Sequence, residues 1–346
     1  MEFNHFLSSF FPDTSYGAPK LYADMLQQAR TADALGYATV SIPEHHLINI
    51  LLTPAPLQMA VRVATETKRV KISTAVAVLP LHDMRIFAGE VSMADILCDG
   101  RLVLGVGRGA FGYEMGRMGV PLEISSEKFD ESLEVLIALL SEEEVSWNGK
   151  YYQFEPLTIM PRPLTQPMPN LMVAVMNPKG IYAYAKKGMH IQTTPLQGTN
   201  EYMLKQVDAF HQGKTEQGEA GCEQQISLLR VGWPAISEND KQEKLKLANG
   251  YYERFDNVFT GPGRVHHGQI EPMPASLSMD ELSANTLVCT RNEMIDRLGI
   301  YADAGIDEVS LNFNINAGQE QTLEAMHRFA EEVMPHFSRL QNIHAA

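Results

Sequence analysis

A glutamate and two histidines stand side by side at Glu44, His45 and His46. They follow a short apolar run, Thr39–Ile42, that we interpret as a strand. A histidine can donate or accept a proton near neutral pH, because its unperturbed pKa is ~6.5. Glu44 could orient one of the two rings by accepting its N–H. The alternative is a set of ordinary polar loop residues. As a metal site the motif is weak, because the chain has no HExxH pattern.

A glycine-rich turn, residues 105–112, follows a later strand and carries one arginine, Arg108. Its spacing matches the dinucleotide-binding pattern GxGxxG, but residues 113–120 do not resemble the helix that this pattern requires. We instead expect the backbone around Gly107 to approach a ligand closely, with Arg108 as an anion clamp. The alternative is a tight turn with a surface arginine.

A third candidate site is the run Asn177-Pro178-Lys179-Gly180, between a strand and a helix. Pro178 suits the first turn of a helix. The free N–H groups of that turn and the Lys179 ammonium could hold a phosphate. Many surface helices begin in this way, so the run is a weak signal alone. Together with Arg108 it indicates two cationic contacts for one phosphate.

These residues need a scaffold, and the chain alternates short apolar runs with amphipathic stretches. Eight runs are predicted to be strands: residues 3–7, 39–42, 70–79, 101–106, 171–175, 190–193, 226–231 and 309–314. Helices are predicted at residues 20–35, 56–67, 84–97, 129–140, 178–187 and 319–337. This order predicts an α/β fold, a (β/α)8 TIM barrel with insertions. In such a barrel the three candidate sites lie at the C-terminal ends of strands, where active sites form.

We predict a single domain over residues 1–346, because no low-complexity tract or long charge run marks a boundary. Two segments interrupt the alternation. Residues 147–154 predict a small hairpin with Asn148-Gly149 as its turn. Residues 259–282 are rich in glycine, proline and polar side chains, and loops of this length are usually lids or mobile connectors. A lid and a disordered insertion are the two interpretations.

The composition argues against several classes of function. The 346 residues include 42 acidic and 28 basic side chains, for a formal net charge of -14. Nucleic acid and anionic membranes are therefore unexpected partners, because both require clustered cations. Cys98, Cys222 and Cys289 are too few and too scattered for a disulfide framework or a zinc site. Without a secretory start or an apolar run of ~18 residues, we expect a cytoplasmic protein that acts on a small molecule.

Together, these motifs resemble the bacterial luciferase-like monooxygenase family. The resemblance rests on FNHFLSSFFP at the N-terminus, TVSIPEHHL at the second strand and AGIDEVSLNFN near the C-terminus. Between them runs ISTAVAVLPLHDMRIFAGEVSMADILCDGRLVLGVGRGAFGYEMGRMG. The resemblance covers most of the chain and is dense over residues 1–119. The intact Glu-His-His is closer to the luciferase alpha-type and flavin monooxygenase branch than to the deazaflavin-dependent branch.

The resemblance implies a two-component monooxygenase on a (β/α)8 barrel. Reduced FMN (FMNH2) would be supplied by a separate NAD(P)H flavin reductase and would react with O2 to give a flavin C4a-hydroperoxide. The substrate would be a small organic molecule, for example an aldehyde or a ketone. The family also implies a dimer through the early helices. Ala88, Gly89 and Ala94 would permit close packing there, or they would pack on the chain's own barrel.

The resemblance also implies roles for single residues. His45 matches the catalytic histidine of the family, with Glu44 beside it in the catalytic motif. Ala75 and Val76 match a pair that lies against the isoalloxazine ring, often through a non-prolyl cis peptide. Arg108 matches the arginine that meets the flavin phosphate. The other implied cofactor contacts are Gly107, Val175, Met176, Asn177 and Lys179.

The sequence departs from the luciferase alpha subunit in two places. Gly107 replaces a reactive cysteine, and Val-Met-Asn-Pro-Lys at residues 175–179 replaces Glu-Ser-Ala-Ser-Thr. The second change removes hydroxyls expected at the phosphate and leaves Lys179 as a substitute, so light emission is not implied. Two further functions stay open: a deazaflavin- or flavin-dependent hydride-transfer oxidoreductase, and a non-catalytic flavin-binding partner subunit.

Overall fold

A closed ring of eight parallel strands forms the centre of the molecule. The computed structural model describes residues 1–338, and residues 339–346 of the predicted domain lie outside the described residues. The strands are β1 (Glu2–Phe6), β2 (Thr39–Ile42), β3 (Lys71–Thr74), β4 (Ala77–Val78), β5 (Leu102–Gly107), β6 (Val145–Asn148), β7 (Gln153–Leu157), β8 (Asn170–Ala174), β9 (His190–Thr193), β10 (Ile226–Ala235), β11 (Val265–His266), β12 (Gln269–Ile270), β13 (Leu287–Thr290) and β14 (Glu308–Asn312). The ring runs β1-β2-β3-β5-β8-β9-β10-β14 and closes from β14 to β1. This arrangement confirms the predicted (β/α)8 TIM barrel, and each of the eight predicted strands contributes to the ring.

Helices connect the strands and cover the outside of the barrel. They are α1 (Ala18–Leu35), α2 (Pro56–Ala64), α3 (Met84–Leu97), α4 (Gly112–Arg117), α5 (Leu122–Ser141), α6 (Pro178–Ala185), α7 (Asn200–Thr215), α8 (Glu238–Phe259), α9 (Met279–Asn285), α10 (Arg291–Asp303), α11 (Gln319–Glu332) and α12 (Pro335–Ser338). Every residue of β2 and β5 is buried, as expected for parallel strands covered on both faces. α1 ends where Gly36 takes a left-handed conformation, with φ of 86°.

Four sequence-based boundaries need correction. Residues 70–79 are two strands, β3 and β4, separated by a cis peptide bond between Ala75 and Val76. Both pieces pair with β5, at different heights. The run 113–120 does contain a helix, α4, because the chain turns sharply after β5. The predicted final helix ends earlier, at Glu332, and α12 follows it. The helix predicted at residues 129–140 begins earlier, at Leu122. In addition, α7, α8, α9, α10 and β13 were not predicted.

Both predicted insertions have regular structure. β6 and β7 form the expected antiparallel hairpin, but its connection spans residues 149–152 rather than Asn148-Gly149 alone. The Glu131 carboxylate of α5 accepts from three N–H groups of that connection, at Lys150, Tyr151 and Tyr152, which explains the wider turn. Residues 259–282 contain the β11–β12 hairpin, which is pinned by the Ile270 N–H donating to Asn49 at 2.9 Å. A lid function for this segment stays a prediction.

The surface gives limited information about partners. Ala88 and Ala94 are buried within the chain itself, so these two small residues of α3 pack on their own barrel. The dimer and the cytoplasmic location stay predictions. Within residues 1–338, no helix combines the length and apolar character needed to cross a membrane.

Candidate active site

A cavity of about 650 Å³ lies at the C-terminal ends of the barrel strands. The predicted site residues that line it are Glu44, His45, Ala75, Val76, Gly107, Arg108, Val175, Met176 and Asn177. Lys179, at the start of α6, is exposed and is not among the lining residues. The fold therefore brings together residues from four different strand ends, as a barrel active site requires.

His45 is held by a carboxylate that sequence reasoning missed. Its Nδ1 lies 2.8 Å from Glu114 Oε1, and its ring stacks on Phe111 with centroids 4.2 Å apart. Glu114 reaches this position because the chain reverses at Gly109, where φ is 81°, and α4 begins three residues later. A Cβ at Gly109 would lie 2.4 Å from Met115 Sδ, so only glycine fits. The glycine-rich turn thus delivers Glu114 to His45.

Glu44 contacts other groups. Its Oε1 lies 2.8 Å from His46 Nε2 and 2.9 Å from His82 Nε2, and its Oε2 accepts from the Val78 N–H at 2.8 Å. Burial raises the pKa of the Glu44 carboxyl, but the hydrogen bonds from His46 and His82 outweigh burial and hold that pKa below its ordinary value. Glu44 therefore stays a carboxylate and orients His46 rather than His45. Among residues 1–338, no group of three or more His, Cys, Asp or Glu side chains could hold a metal ion.

Ala75, Val76 and Gly107 lie together in the cavity wall. The expected cis peptide between Ala75 and Val76 is present, and the Ala75 N–H donates to Ile42 O at 2.7 Å. Gly107 lies against this peptide, and a Cβ at Gly107 would be 2.7 Å from Val76 Cγ2. A side chain at position 107 would fill the space beside the Ala75–Val76 peptide, so the glycine keeps this surface open.

One edge of the cavity is polar. Arg108 donates to Ser126 Oγ of α5 at 3.1 Å, and Tyr184 donates to Asp130 at 2.6 Å. Asn177 is the N-cap of α6, where its side chain accepts from the Gly180 N–H at 2.7 Å. The exposed guanidinium, the Ser126 hydroxyl and the start of α6 together form a setting for an anion.

Three buried polar atoms in the cavity wall have no hydrogen-bond partner among the described residues. They are Gln192 Oε1, Thr193 Oγ1 and Ser310 Oγ. The amide of Gln192 is otherwise fixed, because its Nε2 donates to Ser73 Oγ at 2.9 Å. A buried polar atom without a partner is costly, so these atoms mark a surface that is built to meet a polar ligand.

Aromatic side chains from α8 and from the glycine-rich turn line another part of the cavity. Phe111 meets Phe255 edge to face at 5.4 Å, and Phe255 stacks against Tyr251 and Phe259 along α8. Phe6 and Tyr252 also line the cavity. This aromatic wall, defined by Phe111, Tyr251, Tyr252, Phe255 and Phe259, lies next to His45, since Phe111 stacks on its ring.

Sequence reasoning missed Glu114, Ser126, Gln192 and the aromatic wall. A signal existed for α8, where Leu245, Ala248, Tyr252 and Phe255 recur at helical spacing. For Glu114 the signal was its place six residues after Arg108, in a run that we did not interpret as a helix. Ser126 and Gln192 meet their partners only in the folded barrel.

Comparison with known proteins identifies the family. A sequence profile of the luciferase-like monooxygenase family matches residues 1–308. The oxygenase component of flavin-dependent trigonelline monooxygenase from Acinetobacter baylyi is 30% identical over 339 residues, which cover 92% of this chain and 91% of that protein. The chain belongs to the luciferase-like monooxygenase family. The expected class of enzyme, a flavin-dependent monooxygenase, is thereby confirmed at the level of the family.

Solved structures share the fold. Monooxygenase RslO1 from Streptomyces bottropensis superposes with a TM-score of 0.86 at 24% identity, over 97% of this chain and 100% of that one. The oxygenating constituent of 3,6-diketocamphane monooxygenase from Pseudomonas putida, solved with FMN, gives 0.76 at 16% identity, over 97% and 98%. An F420-dependent secondary alcohol dehydrogenase, solved with an F420-acetone adduct, gives 0.75 at 20%, also over 97% and 98%. At these identities the likeness concerns the fold alone.

Proposed function

We propose that this chain is the oxygenase component of a two-component monooxygenase, which uses reduced FMN and O2 to oxidise a small organic substrate. The observation that carries the proposal is one cavity that joins His45, the Ala75–Val76 peptide, Gly107 and the unsatisfied Gln192 amide oxygen. A relative of 30% identity is itself named an oxygenase component, which supports a separate NAD(P)H flavin reductase as partner.

The residues present fit a flavin. Gly107 and the Ala75–Val76 peptide leave a flat surface for the ring system, and Gln192 Oε1 is a buried acceptor available to a ring N–H. Arg108, Ser126 and the start of α6 would hold the phosphate. Lys179 is exposed beside this edge, so we retain it as an outer contact that reaches the phosphate only through solvent. When bound, reduced FMN supplies the electrons that activate O2.

His45 would move the proton that the oxidation requires. A carboxylate accepts hydrogen bonds and donates none, so Glu114 Oε1 keeps the proton of His45 on Nδ1. His45 Nε2 has no hydrogen-bond partner within residues 1–338 and is free to accept a proton. The aromatic wall would exclude water from the same space, which strengthens polar interactions there. Its apolar surface supports a substrate such as an aldehyde or a ketone, and trigonelline is a further compound to test.

Rapid mixing tests the proposal. Protein loaded anaerobically with reduced FMN is mixed with oxygenated buffer while the flavin spectrum is followed. We expect a spectrum that differs from both reduced and oxidised FMN and that outlives the same signal in free flavin. A Lys68→Ala variant serves as a matched surface control, because Lys68 is exposed and does not line the cavity, and it should behave as the unmodified protein. Reoxidation as fast as in free flavin, both with and without test substrates, contradicts the proposal. Preferential binding of F420 without oxygen uptake would instead indicate hydride transfer.

A further inference from the structure

Two leucines of the cavity wall have a backbone conformation that leucine rarely adopts. Leu51 has φ of 53° and Leu196 has φ of 56°, both in the left-handed region. In this region the Cβ of an L-residue crowds the backbone, so glycine or asparagine is the usual occupant. Both side chains line the cavity. Such conformations persist only where surrounding contacts impose them, and they concentrate at ligand sites.

Hydrogen bonds hold the backbone of Leu196 on both sides. Its N–H donates to Thr194 Oγ1 at 2.9 Å, and its carbonyl accepts from the Arg230 guanidinium at 3.1 Å. The Arg230 side chain is almost wholly buried and also donates to the Asn285 carbonyl at the end of α9. A buried arginine thus fixes the loop that carries Leu196.

Leu51 is fixed in a comparable way. The next residue, Leu52, donates its N–H to Ser9 O at 3.0 Å, and the Thr53 N–H donates to Leu51 O at 2.8 Å. The Ser9 and Thr53 hydroxyls are 2.9 Å apart and join the same two loops. The loop after β2 is therefore tied to the loop after β1, with the Leu51 side chain in the cavity.

The two leucines belong to loops that follow well-separated strands of the barrel. Leu51 follows β2 and Leu196 follows β9. Around the closed ring, β3, β5 and β8 separate these strands in one direction, and β1, β14 and β10 separate them in the other. α8, which supplies most of the aromatic wall, follows β10, one of the strands that separate them. The two leucines and the aromatic wall line the same cavity, and we call the space between them the apolar slot.

We propose that Leu51 and Leu196 are specificity-determining residues of this site, and that their side chains limit the size of the flat ring system that can lie against the aromatic wall. The inference rests on the proposed function, since it names the substrate class of the same site. Glycine at either position would relieve the backbone and remove the apolar contact at once. Leucine keeps the contact and fixes the width of the slot.

Binding of two planar ketones tests the slot width. Acetophenone has one ring and 2-acetonaphthone has two fused rings. Isothermal titration calorimetry measures both on the full chain, loaded anaerobically with reduced FMN. We expect acetophenone to bind more tightly. Leu51→Gly and Leu196→Gly should each shift the preference toward 2-acetonaphthone by about tenfold, as expected when a hydrophobic pocket loses a few methylene-sized contacts. The affinity for FMN should not change.

Leu47 provides a matched control. It also has a left-handed backbone, with φ of 65°, but its side chain is 49% exposed and does not line the cavity. Leu47→Gly should therefore leave the preference between the ketones unchanged. At position 196, the glycine and alanine variants should share one ketone preference, while the glycine variant unfolds at a higher temperature.

Several results would overturn the proposal. One is that the unmodified protein binds the two ketones equally or binds neither. Another is that Leu196→Gly leaves the ratio of the two ketone affinities unchanged. A third is that Leu47→Gly changes this ratio as much as the cavity variants do. The half-buried Leu196 carries the test by itself if the Leu51 variants do not fold. Binding is measured without oxygen, so failure of the slot is distinguishable from failure of the proposed oxygen chemistry.

Discussion

Replacement of Glu114 by glutamine is expected to slow turnover without weakening flavin binding. The buried carboxylate holds His45 Nδ1 at 2.8 Å and the His46 N–H at 3.0 Å. Glutamine preserves the shape of the side chain, but its amide can offer an N–H to Nδ1. That contact favours the tautomer with the proton on Nε2, which leaves His45 without a free basic nitrogen in the cavity.

The expected loss of rate in Glu114→Gln depends on which contacts still orient the His45 ring. A hydrogen bond to a charged group contributes about 1.5–3 kcal/mol, which corresponds to roughly 10- to 150-fold in rate. The carboxylate-to-amide change in a serine protease triad costs about 10⁴-fold. Here the His45 ring is also stacked on Phe111, with planes 16° apart, so its orientation survives the substitution. We therefore expect a loss of about 10- to 100-fold.

Single-turnover experiments measure this loss. Protein loaded with reduced FMN is mixed with O2 and substrate, and product is quantified across the pH range, while FMN affinity is titrated separately. Glu44→Gln is the matched comparison, because Glu44 contacts His46, His82 and the Val78 N–H but not His45. The reasoning is refuted if Glu114→Gln turns over at the normal rate with an unchanged pH profile, or if its lost activity equals its lost flavin binding.

Three further substitutions test other parts of the molecule. Arg108→Ala should weaken FMN binding by about tenfold but leave riboflavin binding unchanged in equilibrium dialysis, because only FMN carries the phosphate; equal losses would exclude a phosphate contact. Gly107→Ala should weaken FMN binding and lower the unfolding temperature, since its Cβ would meet Val76 Cγ2 at 2.7 Å and such overpacking costs ~1–3 kcal/mol; an unchanged FMN affinity would contradict the open surface. Burial lowers the pKa of His5 to about 4, although its hydrogen bond with Gln28 acts in the opposite direction. Below pH ~6.5 the unfolded chain therefore binds a proton that the folded chain does not bind. The free energy of unfolding should therefore fall by about 3 kcal/mol between pH 6.5 and 4 because of His5. Denaturant unfolding of the His5→Gln variant should show a smaller decrease over the same pH range, without this contribution.

The barrel was predictable because its strands are short, buried runs between amphipathic stretches. β13 has the same apolar character, LVCT, but it pairs with the far end of β10 outside the ring, and no local pattern marks it. The local pattern likewise gave no sign of the break between β3 and β4, because residues 70–79 form one β-branched run without glycine or proline. Only the family resemblance indicated a cis peptide there. Local hydrophobic pattern thus predicts which segments are strands, while tertiary contacts decide where each one is interrupted.

The partners of the two histidines show the same limit at the site. Adjacency in sequence suggests that Glu44 accepts a hydrogen bond from a neighbouring histidine ring. In an extended chain, side chains two residues apart point to the same side. Glu44 accordingly meets His46, and His45 points the other way, to Glu114, 69 positions later. Alternation could have excluded Glu44 as the partner of His45, but only the turn at Gly109 brings Glu114 there. The two carboxylates therefore have separable roles: Glu114 fixes the proton of His45, and Glu44 fixes the Val78 N–H beside the Ala75–Val76 peptide. Loss of proton transfer and loss of flavin binding should accordingly come from different substitutions.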